Sequence, residues 1–185
     1  MNRRELMQWL VATAGLTAVE TLAPADLLAF GRDVHRRAPR AGRRTLTAHA
    51  EQTVSLAAER ILPATETPGA TDAGVTPFIE KMLADWHTPE ERARFLAGLE
   101  DLDARCRARS SRDFVDCSEA DQMAVLNALD AEAAAQRDHW FGRLKYLTVY
   151  GYCTSEVGQR ALGLWPQPWR YDGCAPLDAP PPPTH

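Results

Sequence analysis

The sequence feature that most constrains the fold is a complete helix-start signal followed by helical spacing of apolar residues. Thr88-Pro89-Glu90-Glu91 combines an N-cap threonine, a proline in the first turn and the glutamate of a capping box. Phe95, Leu99, Leu102 and Cys106 follow at intervals of four, three and four residues, which places them on one face of a helix. A chain with such a helix must provide other elements that cover its apolar face.

The same helical spacing continues along the chain, whereas the alternation of apolar and polar residues typical of a sheet is absent. The spacing predicts further helices over residues 47–63, 76–86, 118–133, 139–152 and 155–162. The β-branched and aromatic residues at 146–150 also fit a strand, although the spacing around them favours a helix. The sequence therefore predicts an all-α protein: a single compact bundle of about six helices, followed by an irregular C-terminal segment rich in aromatic residues and proline.

The N-terminus has the order of a bacterial export signal. Arg3 and Arg4 precede an apolar stretch over 9–19 and a small-x-small site at 23–25, and paired arginines favour the twin-arginine route. An amphipathic first helix that carries two arginines is the alternative. We expect four segments: residues 1–25 as the export signal, 26–44 as a helix end and basic linker, 45–178 as the helical subunit domain, and 179–185 as a disordered proline-rich tail.

Charge is unevenly distributed along the chain. The full sequence has 21 basic and 25 acidic residues and a net charge of -4, which does not indicate a nucleic-acid-binding protein. Six arginines nevertheless lie within residues 32–44. This segment is predicted either as a solvated linker or as an arm that docks on an acidic partner.

Four cysteines are an even number, and in an oxidising compartment they favour disulfide bonds. Three connectivities are open. We favour Cys106 with Cys117, which would close the turn between two helices, and Cys153 with Cys174, which would pin the C-terminal segment. Free thiols are the alternative, above all for Cys106, which continues the apolar face of its helix.

The sequence contains no nucleophile-elbow, dinucleotide-binding or zinc-finger motif. Glu66 and Asp72 lie in a polar loop whose spacing does not match a calcium-binding EF-hand loop. The five histidines form no i, i+4 pair with an acid between them, and for His139 a structural role at a helix start is favoured over proton transfer. The predicted site therefore contains no catalytic, cofactor-binding or metal-binding residue.

Three blocks of the sequence resemble the gluconate 2-dehydrogenase subunit 3 family. The first covers 61–79 and includes ILPATETPGA and DAGV, the second covers 144–158 and includes LKYLT and GYCTSEVG, and the third is YDGC at 171–174. The blocks occur in order, and the twin-arginine start is similar to that family as well. Cys153 stands where an aromatic residue is expected in this family, which supports its pairing with Cys174.

The resemblance implies an accessory subunit without a cofactor of its own. In that family the small subunit associates with a large FAD-containing dehydrogenase of the glucose-methanol-choline type. The large subunit oxidises a sugar or a sugar acid and passes electrons to a cytochrome c. The expected partners are therefore this flavoprotein, which would hold the FAD, a c-type cytochrome subunit and the twin-arginine translocase.

The role implied by this resemblance is to bind, stabilise and co-export the large subunit. The expected location is the periplasm, where a complex could also hold the chain at the membrane. The alternative is an autonomous periplasmic helical enzyme or sugar-binding domain that uses Glu66, Asp72, His139 and Glu156.

Because the resemblance supplies no catalytic residue, the predicted site is a partner interface. It draws on the matched loop at 65–75, the block at 150–158 and the aromatic C-terminal segment. Its residues are Thr65, Thr67, Pro68, Gly69, Asp72, Tyr150, Tyr152, Ser155, Glu156, Trp165, Trp169 and Tyr171. Aromatic side chains are enriched at protein interfaces, but packing within the fold is the alternative role for these residues.

Overall fold

In the computed structural model, which describes residues 24–38, 44–136 and 138–164, one helix is surrounded by all the others. The helices are α1 (Pro24–Arg37), α2 (Ala48–Ile61), α3 (Val75–Asp85), α4 (Pro89–Ser110), α5 (Glu119–Ala135), α6 (Trp140–Thr154) and α7 (Glu156–Ala161), with a 3-10 turn at Phe114–Asp116. No strand occurs within the described residues. The predicted all-α class is confirmed, with seven α-helices in the described ranges where about six were expected.

The surrounded helix is α6, in which eleven of the fifteen residues are buried. It contacts each of the other six α-helices that the structure describes. Its last nine residues, Tyr146 to Thr154, are all buried, so this part of the helix is covered on every side by the others. The stretch at 146–150 lies inside this helix, which excludes the strand alternative.

The two strongest start signals in the sequence produce the caps that they predict. Thr88 Oγ1 accepts a hydrogen bond from the Glu91 amide at 3.2 Å, and Glu91 Oε2 accepts one from the Thr88 amide at 2.9 Å. Ser118 caps α5 through the Asp121 amide at 3.2 Å. The predicted apolar face of α4 is buried over all four of its positions: Phe95, Leu99, Leu102 and Cys106.

Thr76-Pro77 resembles a helix start, with a threonine N-cap and a proline in the first turn, but the start of α3 differs from this prediction. The helix begins at Val75, two residues before Pro77, and its N-cap is Gly74 with φ +67° and no side-chain hydrogen bond. Glycine adopts this left-handed conformation without the steric cost that a Cβ adds. Gly74 therefore allows the chain to turn from the preceding loop directly into α3.

Helix α1 packs on the same body as the rest of the chain. Val34 has no exposed surface, the Tyr150 hydroxyl donates to the Leu27 carbonyl at 2.6 Å, and the His35 ring stacks on Phe78 with centroids 4.7 Å apart. The segment 26–44 was expected to be a helix end and linker, whereas its first part is a packed helix. The arginines at 32, 36 and 37 lie on that helix.

The three cysteines that the structure describes are free thiols, so the predicted bond between Cys106 and Cys117 is not formed in it. The two thiols lie close enough to hydrogen-bond each other, and Ser110 Oγ is 3.0 Å from Cys117 Sγ. Burial raises the pKa of Cys106 to about 12 and that of Cys153 to about 12, which keeps both thiols protonated at neutral pH. Cys174 lies outside the described residues, so its pairing with Cys153 stays a prediction.

Several predicted features also fall outside the described residues. They are Arg3 and Arg4 with nearly all of the export signal, the interface residues Trp165, Trp169 and Tyr171, and the tail at 179–185. None of the helices within the described ranges combines the length and the apolar character that crossing a membrane requires.

We expect two glycine-to-alanine variants to change stability in opposite directions. A Cβ at Gly98 of α4 would lie 2.1 Å from Cδ2 of Trp140 on α6, so Gly98→Ala should lower the free energy of unfolding by about 1–3 kcal/mol. At Gly142 the nearest atom is the Ala133 Cβ at 3.9 Å, so Gly142→Ala should raise it by up to about 1 kcal/mol. Urea unfolding measures both, and equal stability of the two variants would contradict this packing.

Candidate functional site

Two segments of the predicted interface meet at the C-terminal end of α6. The Tyr152 hydroxyl donates to the Pro68 carbonyl at 2.9 Å and so ties the α2–α3 loop (residues 62–74) to the last turn of α6. Ser155 follows that turn and caps α7, because its Oγ accepts from the Gly158 amide at 2.9 Å. The α2–α3 loop and the α6–α7 corner are therefore joined by hydrogen bonds into one region.

The carboxylate of Glu59 fixes the conformation of the α2–α3 loop. Glu59 Oε1 accepts from the Ala64 amide and Oε2 accepts from the Thr71 amide, each at 2.9 Å. A Cβ at Gly69 would lie 2.2 Å from Glu59 Oε1 and 2.7 Å from the Ala64 nitrogen, so the close approach requires glycine. Asp72 Oδ2 adds a bond from the Gly69 amide at 3.3 Å. The shape of this loop is thus fixed by the protein's own hydrogen bonds.

The same bonds perturb the pKa of the Glu59 carboxyl. Partial burial alone would raise this pKa, but the bonds from Thr71 and Ala64, together with nearby Arg60, outweigh burial and hold the pKa below its usual value. The carboxylate therefore stabilises the fold above the usual glutamate pKa of 4.5, and this contribution is lost as the pH falls through the lower folded-state pKa.

Burial divides the predicted interface residues into two groups. The exposed ones are Thr65, Thr67, Pro68, Asp72 and Glu156. The buried ones are Gly69, Tyr150, Tyr152 and Ser155. In this structure the buried group positions the loop and the helix ends through the bonds given above, and the exposed group provides the surface that a partner can touch.

Helix α1 borders the same end of α6, which the sequence analysis did not anticipate. His35 Nε2 lies 2.7 Å from the Gly151 carbonyl, and a Cβ at Gly31 would lie 2.4 Å from Thr154 Cγ2. Burial lowers the pKa of His35, although its bond to Gly151 acts in the opposite direction, so the ring is neutral at neutral pH and donates through Nε2. The helical spacing of Leu27, Gly31 and Val34 indicates a packed helix. The arginines around these residues favoured the interpretation as a basic linker instead.

Two residues of the alternative enzyme, His139 and Glu156, lie at opposite ends of α6. His139 caps the start of α6, where its Nδ1 accepts from the Phe141 amide at 3.3 Å, whereas Glu156 lies beyond the end of α6 and pairs with Arg160 at 2.5 Å. A helix of fifteen residues separates them by about 22 Å. Over the described ranges, no group of three or more His, Cys, Asp or Glu side chains is placed to hold a metal ion.

A second polar cluster lies on the α2–α4 side of the molecule. His49 Nε2 is 2.7 Å from Asp103 Oδ2, and Asp103 Oδ1 accepts from the Phe114 amide at 2.9 Å. Asp103 is buried, so these bonds satisfy its carboxylate and hold the 3-10 turn against α4. This cluster has a structural explanation and carries no sign of a reaction site.

The described part of the chain is thus a small all-α protein whose candidate site is a preorganised contact surface at one end of a buried helix. The family model described as gluconate 2-dehydrogenase subunit 3 matches residues 48–170, which is more than half of the 185 residues. The chain belongs to the gluconate 2-dehydrogenase subunit 3 family, as its sequence blocks suggested, and is an accessory subunit of an oxidoreductase complex. A search of the curated proteins and a search of the solved structures each returned no match.

The role of Glu59 in shaping the loop can be tested with Glu59→Gln. An amide has one acceptor oxygen, so the variant keeps only one of the two bonds and should lose about 1 kcal/mol of unfolding free energy at neutral pH. The Ala64 or Thr71 amide should also exchange faster with deuterium. The stability difference should shrink as the pH falls from 4.5 through the lower folded-state pKa of Glu59, where the carboxylate that accepts both bonds becomes protonated.

Glu66→Gln is the matched control, since Glu66 is exposed on the same loop. It should leave both the stability and the exchange of the loop amides unchanged. Equal exchange of the two amides in wild type and Glu59→Gln would show that this carboxylate does not shape the loop.

Proposed function

We propose that this chain is the non-catalytic small subunit that binds, stabilises and co-exports a large FAD-containing dehydrogenase of the glucose-methanol-choline type. The large subunit would oxidise a sugar or a sugar acid and pass the electrons to a cytochrome c. FAD would belong to the large subunit and the complex would work in the periplasm. The observation that carries the proposal is family membership over residues 48–170.

The geometry of the candidate site fits a binding role. The exposed residues of the α2–α3 loop include the uncharged Thr65, Thr67 and Pro68 beside the acidic Glu66 and Asp72. Glu59 and Tyr152 already hold the loop in place. A contact surface whose conformation is fixed before binding loses little conformational entropy when it binds. Such a surface suits a stable complex between two subunits.

The arginine pair at the N-terminus supports the export part of the proposal. The twin-arginine route moves folded proteins, and a flavoprotein that binds FAD before export must cross the membrane in its folded state. A large subunit without a signal of its own can cross on the signal of its bound partner, with Arg3 and Arg4 read by the translocase. The small chain then acts as the escort of the complex.

Stabilisation follows from the same contact. A partner that binds only the folded form of a protein shifts its folding equilibrium by mass action. The yield of folded large subunit should therefore rise with the amount of this chain. The substrate of the complex would be selected by the large subunit.

The escort role predicts where the dehydrogenase activity is found in the cell. A large FAD-containing dehydrogenase from the same genome that lacks an export signal of its own is expressed with this chain, without it, and with the Arg3→Lys/Arg4→Lys double variant. Co-expression with wild type should give flavin-dependent activity in the periplasm, and omission should give low activity confined to the cytoplasm. The double variant should still form the complex but keep it in the cytoplasm.

Arg43→Lys/Arg44→Lys serves as the matched control, because it changes an adjacent arginine pair outside the export signal and keeps its charge. It should leave the activity in the periplasm. Full periplasmic activity of the large subunit in the absence of this chain would overturn the escort role.

A further inference from the structure

A cleft of 580 Å³ lies between α1 and the α6–α7 corner. Ligand pockets in proteins typically enclose about 300–1,000 Å³, so the cleft can hold a small organic group. Helix α1 and the corner provide its lining: Ala29, Arg32, His35, Arg36, Thr154, Glu156 and Gln159. The cleft therefore lies beside the contact surface formed by the α2–α3 loop and the same end of α6.

The guanidinium of Arg32 is oriented by a buried amide. Gln159 is 1% exposed, and its Oε1 accepts from Arg32 Nη2 at 2.9 Å while its Nε2 donates to the Thr154 carbonyl at 3.3 Å. Arg32 Nε is buried and finds no acceptor among the described residues. A guanidinium carries five N–H donors, so the bond to Gln159 leaves most of its donor capacity for another acceptor.

The charges of the lining favour an anion with a single negative charge. Arg32 and Arg36 are cationic, Glu156 is anionic, and burial keeps His35 neutral, so the lining carries a net charge of about +1. The guanidinium of Arg36 lies 3.1 Å from the Asp33 carboxylate, and Glu156 pairs with Arg160. Arg32, in contrast, is oriented by a neutral group, the amide of Gln159. A phosphate monoester carries a charge of about -1.5 to -2 and fits this balance less well than a carboxylate.

We propose that this cleft binds a carboxylate group through the guanidinium of Arg32, with Arg36 adding positive charge beside it. The planar fork of a guanidinium matches the two oxygens of a carboxylate, and such charge-assisted bonds are the stronger class of hydrogen bond. Two sources supply this chemistry: a free small carboxylic acid, or an Asp or Glu side chain of the large subunit. The second source rests on the proposed function, whereas the first does not.

The first arm of the test uses the full chain alone. Nitrogen-15 NMR follows the Arg32 Nε–H signal during titration with propionate and with the uncharged propionamide, at constant ionic strength. Propionate should shift the signal saturably and propionamide should not. Equal responses to the two probes, or no response to propionate, would overturn the proposal.

Two variants and a control separate the cleft from the rest of the surface. The Arg32→Gln variant has no arginine signal at this position, so propionate binding is followed through the Gln159 side-chain signals. This variant should lower the association constant for propionate by about tenfold or more. Gln159→Glu places a carboxylate of the chain itself against Arg32 and should abolish the response while the fold remains intact. Arg37→Gln changes an arginine on the same helix that pairs with Asp33 and does not line the cleft, so it should respond as wild type does. Unchanged propionate binding by both Arg32→Gln and Gln159→Glu would contradict the assignment.

The second arm repeats the titration on the complex with the large subunit. If a side chain of that subunit is the ligand, complex formation suppresses the propionate response and Arg32→Gln weakens the complex. If a free acid is the ligand, the response persists in the complex and Arg32→Gln leaves subunit affinity unchanged. Both outcomes support a carboxylate site, and the first arm decides its existence even where the proposed partner is wrong.

Discussion

The burial of α6 is the constraint on which the rest of the structure depends. Every residue of this helix from Tyr146 to Thr154 is buried, and each of the other helices in the described ranges packs against it. Close packing is achieved where glycines face bulky rings or chains, as at Gly98 against Trp140 and at Gly151, where a Cβ would lie 2.8 Å from the Phe78 ring. The arrangement of the surface helices is therefore a consequence of how this one helix is covered.

The candidate site is built at the end of that buried helix. The last turn of α6 fixes the neighbouring segments through hydrogen bonds. The Tyr152 hydroxyl donates to the α2–α3 loop, the Gly151 carbonyl accepts from His35 of α1, and the Thr154 carbonyl accepts from Gln159 of α7. The core thus determines the geometry of the surface. A subunit whose role is to bind another protein needs such a fixed surface more than it needs a reactive group.

Short-range signals in the sequence predicted the helices. Features that depend on contacts between residues far apart in the sequence were not predicted. The starts of α4 and α5 were predicted because Thr88 and Ser118 act on amides three residues away. Helix α6 was ambiguous, since residues with high β propensity are also those that a fully buried helix uses. The cleft was missed because Arg32 and Gln159 are 127 residues apart, and the arginines of α1 suggested a linker. For the interface, the sequence identified the right segments but did not separate their buried residues from their exposed ones.

The central claim, that this chain binds a large flavoprotein through the surface at the end of α6, is tested most directly by purifying the tagged chain from the periplasm and recording a flavin spectrum. The account predicts flavin absorbance with wild type, a loss of about tenfold or more with Thr67→Arg on the α2–α3 loop, and no loss with Ala97→Arg. Ala97 is exposed beside Gly98, which contacts the opposite end of α6. Wild-type chain recovered from the periplasm without any bound flavoprotein would contradict the account.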